Sequence, residues 1–381
     1  MRRGVVLLCM LGLLGLMVWG QSADLTFWQL PQGSFPGDIH WVSGSGLYVS
    51  LENPRGIGLF EPANDRVRVW ETPEATGEFE VLGGRVIGAL PYVGQLGWLS
   101  TDYGMLSTFT LPQGGAWPVR LLNGAFAANE IYLYYIDWTH GTIGLFAPIE
   151  SGPFSLRNMT PRNQNTRRTT TQVATKSLQV TGKTVPGGST YVPAVQYVAS
   201  TVNDPFTEWP VFSPNDPVFG FTRSPDGRIW VGGPAGDPLK ALIPWDNTLM
   251  LFDLPGAPFI AQLASGVDHG TPYSGAQHDI WFLSAPTDTR IELGVLSTVT
   301  GDVITWTVPE AGDPTCLRVI GREVWFTDRE ISAIYRFDIA TQTFDWWRTG
   351  GDDAPLYLEP GDQGDIWVTL ERKAAIARLE P

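Results

Sequence analysis

The chain has 381 residues with 39 acidic and 25 basic side chains, so its formal net charge is −14 at pH 7. A surface this acidic repels nucleic acid and anionic membranes, which excludes both as partners of the folded body. The 43 glycines, 30 prolines and 12% aromatic residues are typical of a protein built from many short strands and tight turns.

The first 20 residues predict an export signal. Two arginines precede an apolar run of about 16 residues, which is shorter than a membrane-spanning helix. We expect a signal peptide that is removed before Gln21, with a retained N-terminal anchor as the alternative. The protein is therefore expected to be secreted, periplasmic or held at the cell surface.

Two strand phrases recur along the rest of the chain. The first combines a polar pair, a β-branched residue and usually Trp, and its seven copies begin at residues 46, 84, 130, 227, 278, 322 and 364. The second is an aromatic strand that usually ends in a Leu-Pro-like stop, and its seven copies begin at residues 27, 69, 108, 206, 251, 304 and 345. Repeats of roughly 40–50 residues with four strand-sized segments indicate a propeller. The sequence predicts an all-β, seven-bladed β-propeller, one domain over 21–381.

The two ends of the chain predict how the ring closes. The last repeat holds three strands and no final Leu-Pro phrase, whereas a spare copy, "DLTFWQLP" at 24–31, precedes the first complete repeat. We expect this N-terminal strand to complete the seventh blade, because that pairing leaves no long strand edge open.

Residues 157–203 interrupt the repeats between blades three and four. This segment, the arm, contains ten threonines and no acidic residue, and its six basic residues are Arg157, Arg162, Arg167, Arg168, Lys176 and Lys183. Alternating runs around Val-Pro-Gly-Gly-Ser predict a projecting β-hairpin, with a partly disordered polar loop as the alternative. Because the rest of the chain is strongly acidic, we expect the arm to dock an acidic neighbour, a second copy of the chain included.

Two stretches carry a resemblance to a known family. The units "SPDGRIWVGG" (224–233) and "REVWFTDREISAIYRFDIATQTFDWW" (322–347) resemble the repeats of the virginiamycin B lyase (streptogramin lyase) family. The likeness covers most of 24–381 apart from the arm, and it is faint in blades one to three. Similar repeats occur in NHL-type and gluconolactonase-like propellers, so they indicate the fold better than the activity.

The resemblance implies a seven-bladed propeller and a lyase centre with a catalytic His after a blade-opening Pro, nearby Glu side chains and a magnesium ion. This chain has no Pro-His pair; its corresponding pairs are Pro36-Gly37, Pro118-Val119, Pro217-Val218, Pro258-Phe259, Pro314-Thr315 and Pro355-Leu356. A general base must lie within reach of the proton it removes, so its loss is not easily replaced. We therefore do not expect the lyase activity to carry over.

Two acid–imidazole combinations are the candidates for a different catalytic centre. Asp137 and His140 flank a loop that follows a strand of blade three, and Asp268 and His269 are adjacent in a long loop of blade five. A packed or rim position is expected for His40 and a turn for His278. No zinc-ligand spacing, phosphate-binding loop or dinucleotide fingerprint is present.

Six acidic residues each follow a strand phrase in a different blade: Glu52, Asp137, Asp237, Asp288, Asp328 and Glu371. Ring closure would place their loops on one face, around the axis. A solvated acidic rim is the simpler interpretation, and a bound Ca²⁺ or Mg²⁺ is the alternative, because both cations prefer oxygen ligands.

These patterns predict a ligand- or protein-binding module at the cell surface or outside the cell. They do not identify the partner, which is expected to be a protein, a glycan or a small molecule. The alternative is an enzyme, a streptogramin-lyase-like or lactone-opening one, with a divalent cation near the axis. Charged or imidazole pairs converging at the axis would favour the enzyme, and a channel plugged by apolar side chains would favour the binding module.

Overall fold

The computed structural model describes residues 24–31, 33–64, 66–82, 85–124, 132–147, 183–184, 189–193, 197–198, 206–266, 279–287, 290–298 and 300–381. Within these ranges, no helix has both the length and the hydropathy needed to cross a membrane. The predicted signal peptide, residues 1–20, lies outside them.

Strand β1 (Asp24–Gln29) precedes the first three blades. Blade one contains β2 (Pro36–Val42), β3 (Gly46–Glu52), β4 (Arg55–Glu61) and β5 (Arg66–Glu71). Blade two contains β6 (Phe79–Leu82), β7 (Arg85–Leu90), a 3₁₀ turn (Pro91–Val93), β8 (Gln95–Ser100) and β9 (Met105–Thr110). Blade three begins with β10 (Pro118–Asn123), β11 (Leu133–Asp137) and β12 (Thr142–Phe146).

Three short strands follow, β13 (Lys183–Thr184), β14 (Ser189–Pro193) and β15 (Tyr197–Val198), before β16 (Phe206–Pro210) completes blade three. Blade four contains β17 (Gly220–Arg223), β18 (Ile229–Gly232), β19 (Leu239–Ile243) and β20 (Thr248–Phe252). Blade five contains β21 (Phe259–Ser265), β22 (Asp279–Thr287), β23 (Arg290–Ser297) and β24 (Val303–Thr307).

Blade six contains β25 (Pro314–Ile320), β26 (Glu323–Asp328), β27 (Ala333–Asp338) and β28 (Thr343–Arg348). Blade seven contains β29 (Pro355–Pro360), β30 (Ile366–Leu370) and β31 (Ala375–Glu380). The neighbouring strands in each blade are antiparallel, and the chain forms seven sheets in total within the described ranges. The predicted all-β, seven-bladed propeller is confirmed.

Blade seven is completed by β1. This strand pairs antiparallel with β31 over six residues, from Asp24 opposite Glu380 to Gln29 opposite Ala375. The side chain of Gln29 also donates to the carbonyl oxygen of Lys373 at 2.7 Å. The predicted closure by the N-terminal strand is therefore confirmed, and it gives the last sheet its fourth strand.

The hydrophobic core lies between the blades. Seven clusters of buried apolar side chains occur in the described part of the chain, and each joins two neighbouring blades. The middle strands are buried on both faces, as in β11 and β30, because a blade packs on each side of them. This explains the near-continuous apolar runs of the first phrase, whereas the outer strands alternate with solvent.

The antiparallel order gives the propeller two faces. We call upper the face with the loops between second and third strands and the connections between blades. The lower face carries the turns between first and second and between third and fourth strands. All of the predicted rim acids follow a second strand, so those that are described lie at the upper face.

The described parts of the arm pair with the outer edges of two blades. Strand β14 pairs with β20 of blade four and with β13, and β15 pairs with β16 of blade three. The arm leaves the sheet between the third and fourth strands of blade three, β12 and β16, and not between blades three and four as predicted. Most of 157–203 lies outside the described residues, so its projection stays a prediction.

Candidate functional site

The axis of the propeller is lined by the first strand of every blade. In blades one, three, six and seven this strand begins with proline, and polar side chains follow two or four residues later: Asp38, His40, Arg120, Cys316, Arg318, Tyr357 and Glu359. Because side chains alternate along a strand, both positions face the same way. Charged groups therefore converge at the axis, as the enzyme alternative anticipated.

Asp38 and His40 form a buried ion pair on the first strand of blade one. The His40 Nε2 atom lies 3.4 Å from Asp38 Oδ2, and Asp38 also accepts the backbone N–H of Phe79 at 3.0 Å. Burial disfavours the charged imidazolium, but the Asp38 carboxylate outweighs it and raises the pKa of His40 to about 10. Burial also opposes the charged carboxylate, yet His40 keeps the pKa of Asp38 below its usual value.

A second group joins blades two, three and seven. Arg120 forms a salt bridge with Glu78, which also accepts the Tyr357 hydroxyl at 3.2 Å and the Leu121 N–H at 3.1 Å. Burial raises the pKa of Glu78 in spite of the nearby guanidinium. The Glu78 carboxylate thus ties three blades together at the axis.

The remaining axial charges are also in contact with neighbours. The Nε atom of Arg318 lies 3.8 Å from Glu359 Oε2, and Glu80 accepts the backbone N–H of Asn123 at 3.2 Å. Four carboxylates thus face two guanidinium groups and one imidazolium. The cavity that they enclose measures about 60 Å³, which holds only a few water molecules and is far below the roughly 300 Å³ of a small-molecule site.

The magnesium ion implied by the resemblance does not fit the described part of the axis. The carboxylates Asp38, Glu78 and Glu80 are already bound by backbone N–H groups, His40 or Arg120. Within the ranges that the structure describes, no three His, Cys, Asp or Glu side chains are grouped to hold a metal. No catalytic step through a divalent cation follows from this arrangement.

Asp137 is buried at the upper end of β11 and organises the loop that follows. It accepts the backbone N–H groups of Trp117 at 2.9 Å and Thr139 at 3.1 Å, and its Oδ2 lies 2.6 Å from His140 Nδ1. Gly141 ends the loop with φ 66°, and the Phe212 carbonyl leaves no room there for a Cβ. The sequence pair Asp137 and His140 is therefore one contact in space, with a partly exposed imidazole.

Asp328 has the same role in blade six. Its carboxylate is fully buried and accepts four backbone N–H groups from the two loops around it, those of Gly312, Asp313, Glu330 and Ile331. Such loop N–H groups need an acceptor when they are buried, and the carboxylate supplies it.

The other described rim acids are more accessible. Glu52 is exposed, Glu371 is half-buried, and Asp237 forms a salt bridge with Lys240 at 3.0 Å. Asp288 lies outside the described residues, as do Asp268 and His269. The hydrogen bonds and ion pairs described here for Asp137, Asp237 and Asp328 join each of them to its own blade or to the connection that leads into it. The metal-binding role of the rim stays a prediction.

The predicted basic residues of the arm cannot be placed. Arg157, Arg162, Arg167, Arg168 and Lys176 lie outside the described residues, and only the backbone of Lys183 is described, in β13. Their interaction role stays a prediction.

Exposed aromatic side chains mark the upper face of blades one to four. They lie in blade-to-blade connections or in loops after second strands: Phe35 (47% exposed), Tyr92 (72%), Trp138 (37%) and Phe219 (39%). Two are supported from below, because Tyr92 packs against Trp117 at 4.8 Å and Phe219 against Phe259 at 5.1 Å. Supported, exposed aromatic groups of this kind are common at protein-binding surfaces.

The sequence patterns did not point to the axial network or to these aromatic residues. A signal for the network was present, since the second position after the blade-opening proline is polar in four blades and the fourth position is polar in three of them. The loop aromatics had no comparable signal, because a single Tyr or Phe in a turn reads the same whether it is packed or exposed.

Comparison with known proteins agrees with this architecture. No family model matches the chain, and no curated protein matches its sequence. A solved streptogramin B lyase has a TM-score of 0.67 at 15% identity, covering 94% of this chain and 97% of that chain. The likeness is one of fold.

Two further solved structures support the same conclusion. Virginiamycin B lyase from Staphylococcus aureus has a TM-score of 0.67 at 13% identity, over 94% of this chain and 99% of that chain. YCF48 bound to D1 peptide has a TM-score of 0.59 at 11% identity, over 95% of this chain and 97% of that chain. The predicted resemblance to the streptogramin lyase fold is confirmed, and the neighbours include both a lyase and a peptide-binding propeller.

Proposed function

We propose that the protein is an exported propeller that binds a protein partner through the upper face of blades one to four. The observation that carries this proposal is the group of exposed aromatic side chains Phe35, Tyr92, Trp138 and Phe219 on loops that open at one face. Tyr and Trp supply large contact areas at low entropic cost, so they often dominate binding at such surfaces.

The closed axis supports binding over catalysis. Four carboxylates at the centre are largely offset by three cations, and the remaining cavity of about 60 Å³ is smaller than a small-molecule site. The solved structure of YCF48 bound to D1 peptide, which is similar in fold, supports the binding of a protein segment. Export is supported by the leader at 1–20, and the arm at 157–203 is a second proposed contact for a protein partner or a second copy.

Two observations favour the enzyme alternative: charged and imidazole side chains converge at the axis, as in the Asp38–His40 pair, and a second acid–imidazole pair lies at the upper face. The Asp137 carboxylate holds the Nδ1 side of the partly exposed His140 imidazole at the upper face, which orients the ring for proton transfer. Glu208 lies nearby, and burial raises its pKa. A lactone-opening activity that is lost in His140→Gln would favour this alternative over binding.

A photo-crosslinking comparison within blade two tests the binding proposal. A benzophenone amino acid placed at Tyr92 should crosslink to a protein of the cell-envelope or secreted fraction. The same probe at Tyr103, which is 81% exposed in a turn of the lower face, is the matched control and should give no such product. Tyr92 and Tyr103 share residue type and blade but lie on opposite faces.

The crosslink should also respond to its neighbours on the upper face. Trp138→Ser is expected to weaken partner binding about tenfold or more, as for an aromatic hot spot. Equal crosslinking from positions 92 and 103, or none from either, would contradict binding through the upper face.

A further inference from the structure

A cleft opens at the lower face, where blade seven meets blade one. It measures about 520 Å³ and is lined by turns of both blades, including Glu61, Asn64, Asp362 and Gln363, and by Trp41 and Trp367. Its size is that of a small-molecule or side-chain pocket. The cleft lies on the opposite face from the aromatic loops, so what it binds is independent of the proposed function.

Stacked tryptophans form the aromatic wall of this cleft. The Trp41 and Trp367 rings are parallel within 10°, with centroids 5.6 Å apart. Trp367 is buried, whereas Trp41 is only half-buried. The accessible aromatic surface of the wall therefore belongs to Trp41.

The chain already holds one guanidinium group in this environment. The Arg378 Cζ atom lies over the Trp367 ring, 5.7 Å from its centroid. The same side chain contacts Asp365 Oδ2 at 2.7 Å and Glu380 Oε1 at 3.0 Å. An aromatic face and two carboxylates are the groups that bind a planar cation most effectively.

Two carboxylates of the cleft, Glu61 and Asp362, form no salt bridge within the described ranges, although Arg66 lies opposite Glu61 in the β4–β5 ladder. Glu61 accepts only an amide N–H, that of Asn64 at 3.1 Å, and Asp362 is exposed in its turn. No Lys or Arg of the described ranges lies within salt-bridge distance of either. Arg378 is already shared by Asp365 and Glu380, so the cleft keeps an excess of negative charge beside an aromatic wall.

We infer that this cleft binds a guanidinium or ammonium group on a flexible stem, placed against Trp41 between Glu61 and Asp362. The arrangement around Arg378 is the precedent for this site, because there a guanidinium group of the chain itself lies against an indole ring and two carboxylates. An arginine or lysine side chain of a basic peptide presents such a group, and so does a small free amine or guanidine. A neutral sugar would leave the two carboxylates without a counter-charge.

The test uses capped arginine, N-acetyl-arginine methylamide, with the full chain. Binding is followed by NMR through the Trp41 indole N–H, and the equivalent citrulline compound is the uncharged control of the same shape. Capped arginine should shift the Trp41 resonance and bind about tenfold more tightly than citrulline, since a cation–π contact and two partly exposed ion pairs are lost together. Salt should weaken the binding.

Substitutions test whether binding depends on the carboxylates of the cleft or only on the overall negative charge of the protein. Asp362→Asn and Glu61→Gln should each weaken capped arginine about threefold. Asp253→Asn removes one exposed carboxylate outside the cleft lining and should leave the affinity unchanged. Butylguanidine, which has the guanidinium on an alkyl stem but no peptide groups and no second charge, distinguishes the sources: equal affinity indicates a small free cation, and weaker affinity indicates a peptide side chain.

Three results would overturn the inference. Citrulline could bind as well as arginine, capped arginine could leave the Trp41 resonance unmoved up to its solubility limit, or Asp253→Asn could weaken binding as much as Asp362→Asn does. A neutral sugar such as N-acetylglucosamine that shifts Trp41 while arginine does not would also count against it. The upper-face crosslinking result is unaffected by any of these outcomes.

Discussion

Arg120→Ala is expected to lower the free energy of unfolding by about 3 kcal/mol. The substitution leaves the Glu78 carboxylate without its guanidinium in a channel where both side chains are largely buried, 13% and 18% exposed respectively. An unpaired buried charge costs more than the pair contributed, because its hydration is not restored. Urea denaturation followed by tryptophan fluorescence measures the change.

The matched control for Arg120 is Arg372. It forms a salt bridge with Asp352 in which both side chains are exposed, 53% and 72%. Exposed pairs of this kind contribute about 0–1 kcal/mol, so Arg372→Ala should change the stability little. Similar losses for the two variants would mean that water reaches the axis freely and that the network does not close it.

Trp367→Ala is expected to cost about 3–5 kcal/mol, the range for removing a buried Trp from a packed core. Trp367 is 2% exposed and stacks near Trp41 of blade one, Trp28 of the closing strand and Phe60. It is therefore the side chain where the first blade, the last blade and β1 meet. Its loss should weaken the closure of the ring.

Denaturation of Trp367→Ala should be compared with that of Trp245→Ala. Trp245 is 42% exposed, and its removal should change the stability by no more than about 0.5 kcal/mol. A loss at Trp367 as small as that at Trp245 would contradict the packing between blades seven and one. A large loss at both positions would point to a general sensitivity of the fold instead.

The fold was largely predictable because its signals are local. Strict or looser versions of the "IWV"-type runs and of the aromatic strands that usually end in a proline recur around the ring, and each can be recognised within ten residues of sequence. The closure followed from the spare strand at 24–31, which pairs with Ala375–Glu380 as expected. Strand-period patterns identify such elements directly.

The axial site was not predictable in the same way, because its partners come from different blades. Glu78, Arg120 and Tyr357 are brought together only by the ring, and 279 residues separate Glu78 from Tyr357. The polar positions after the prolines predict which side chains face the axis. They do not say which carboxylate meets which guanidinium, since this depends on the register of neighbouring blades.

The rim acids show a different limit. Asp137 and Asp328 follow strands as the pattern indicated, but both are buried and bind backbone N–H groups of their own loops. A strand-ending Asp looks the same in the sequence whether its carboxylate faces solvent or accepts hydrogen bonds from the N–H groups of a loop. Only the backbone path, which places several N–H groups around one carboxylate, decides between the two.

The protonation state of His40 is the most direct test of an axis that is closed by paired charges. Because the pKa of His40 is higher and that of Asp38 lower in the folded than in the unfolded chain, the pair stabilises the fold fully between about pH 4 and about pH 6.5. This stabilisation is lost as the pH rises toward 10 and His40 loses its proton, and also in acid as Asp38 is protonated. Asp38→Asn should lower the midpoint, since it removes the main attraction.

Nitrogen-15 NMR of the histidine-labelled protein measures this protonation directly. The predicted result is a charged His40 imidazolium at neutral pH and a titration midpoint near 10. A neutral His40 at pH 7, with a midpoint at or below the ordinary value of about 6.5, would contradict a charge network that closes the axis.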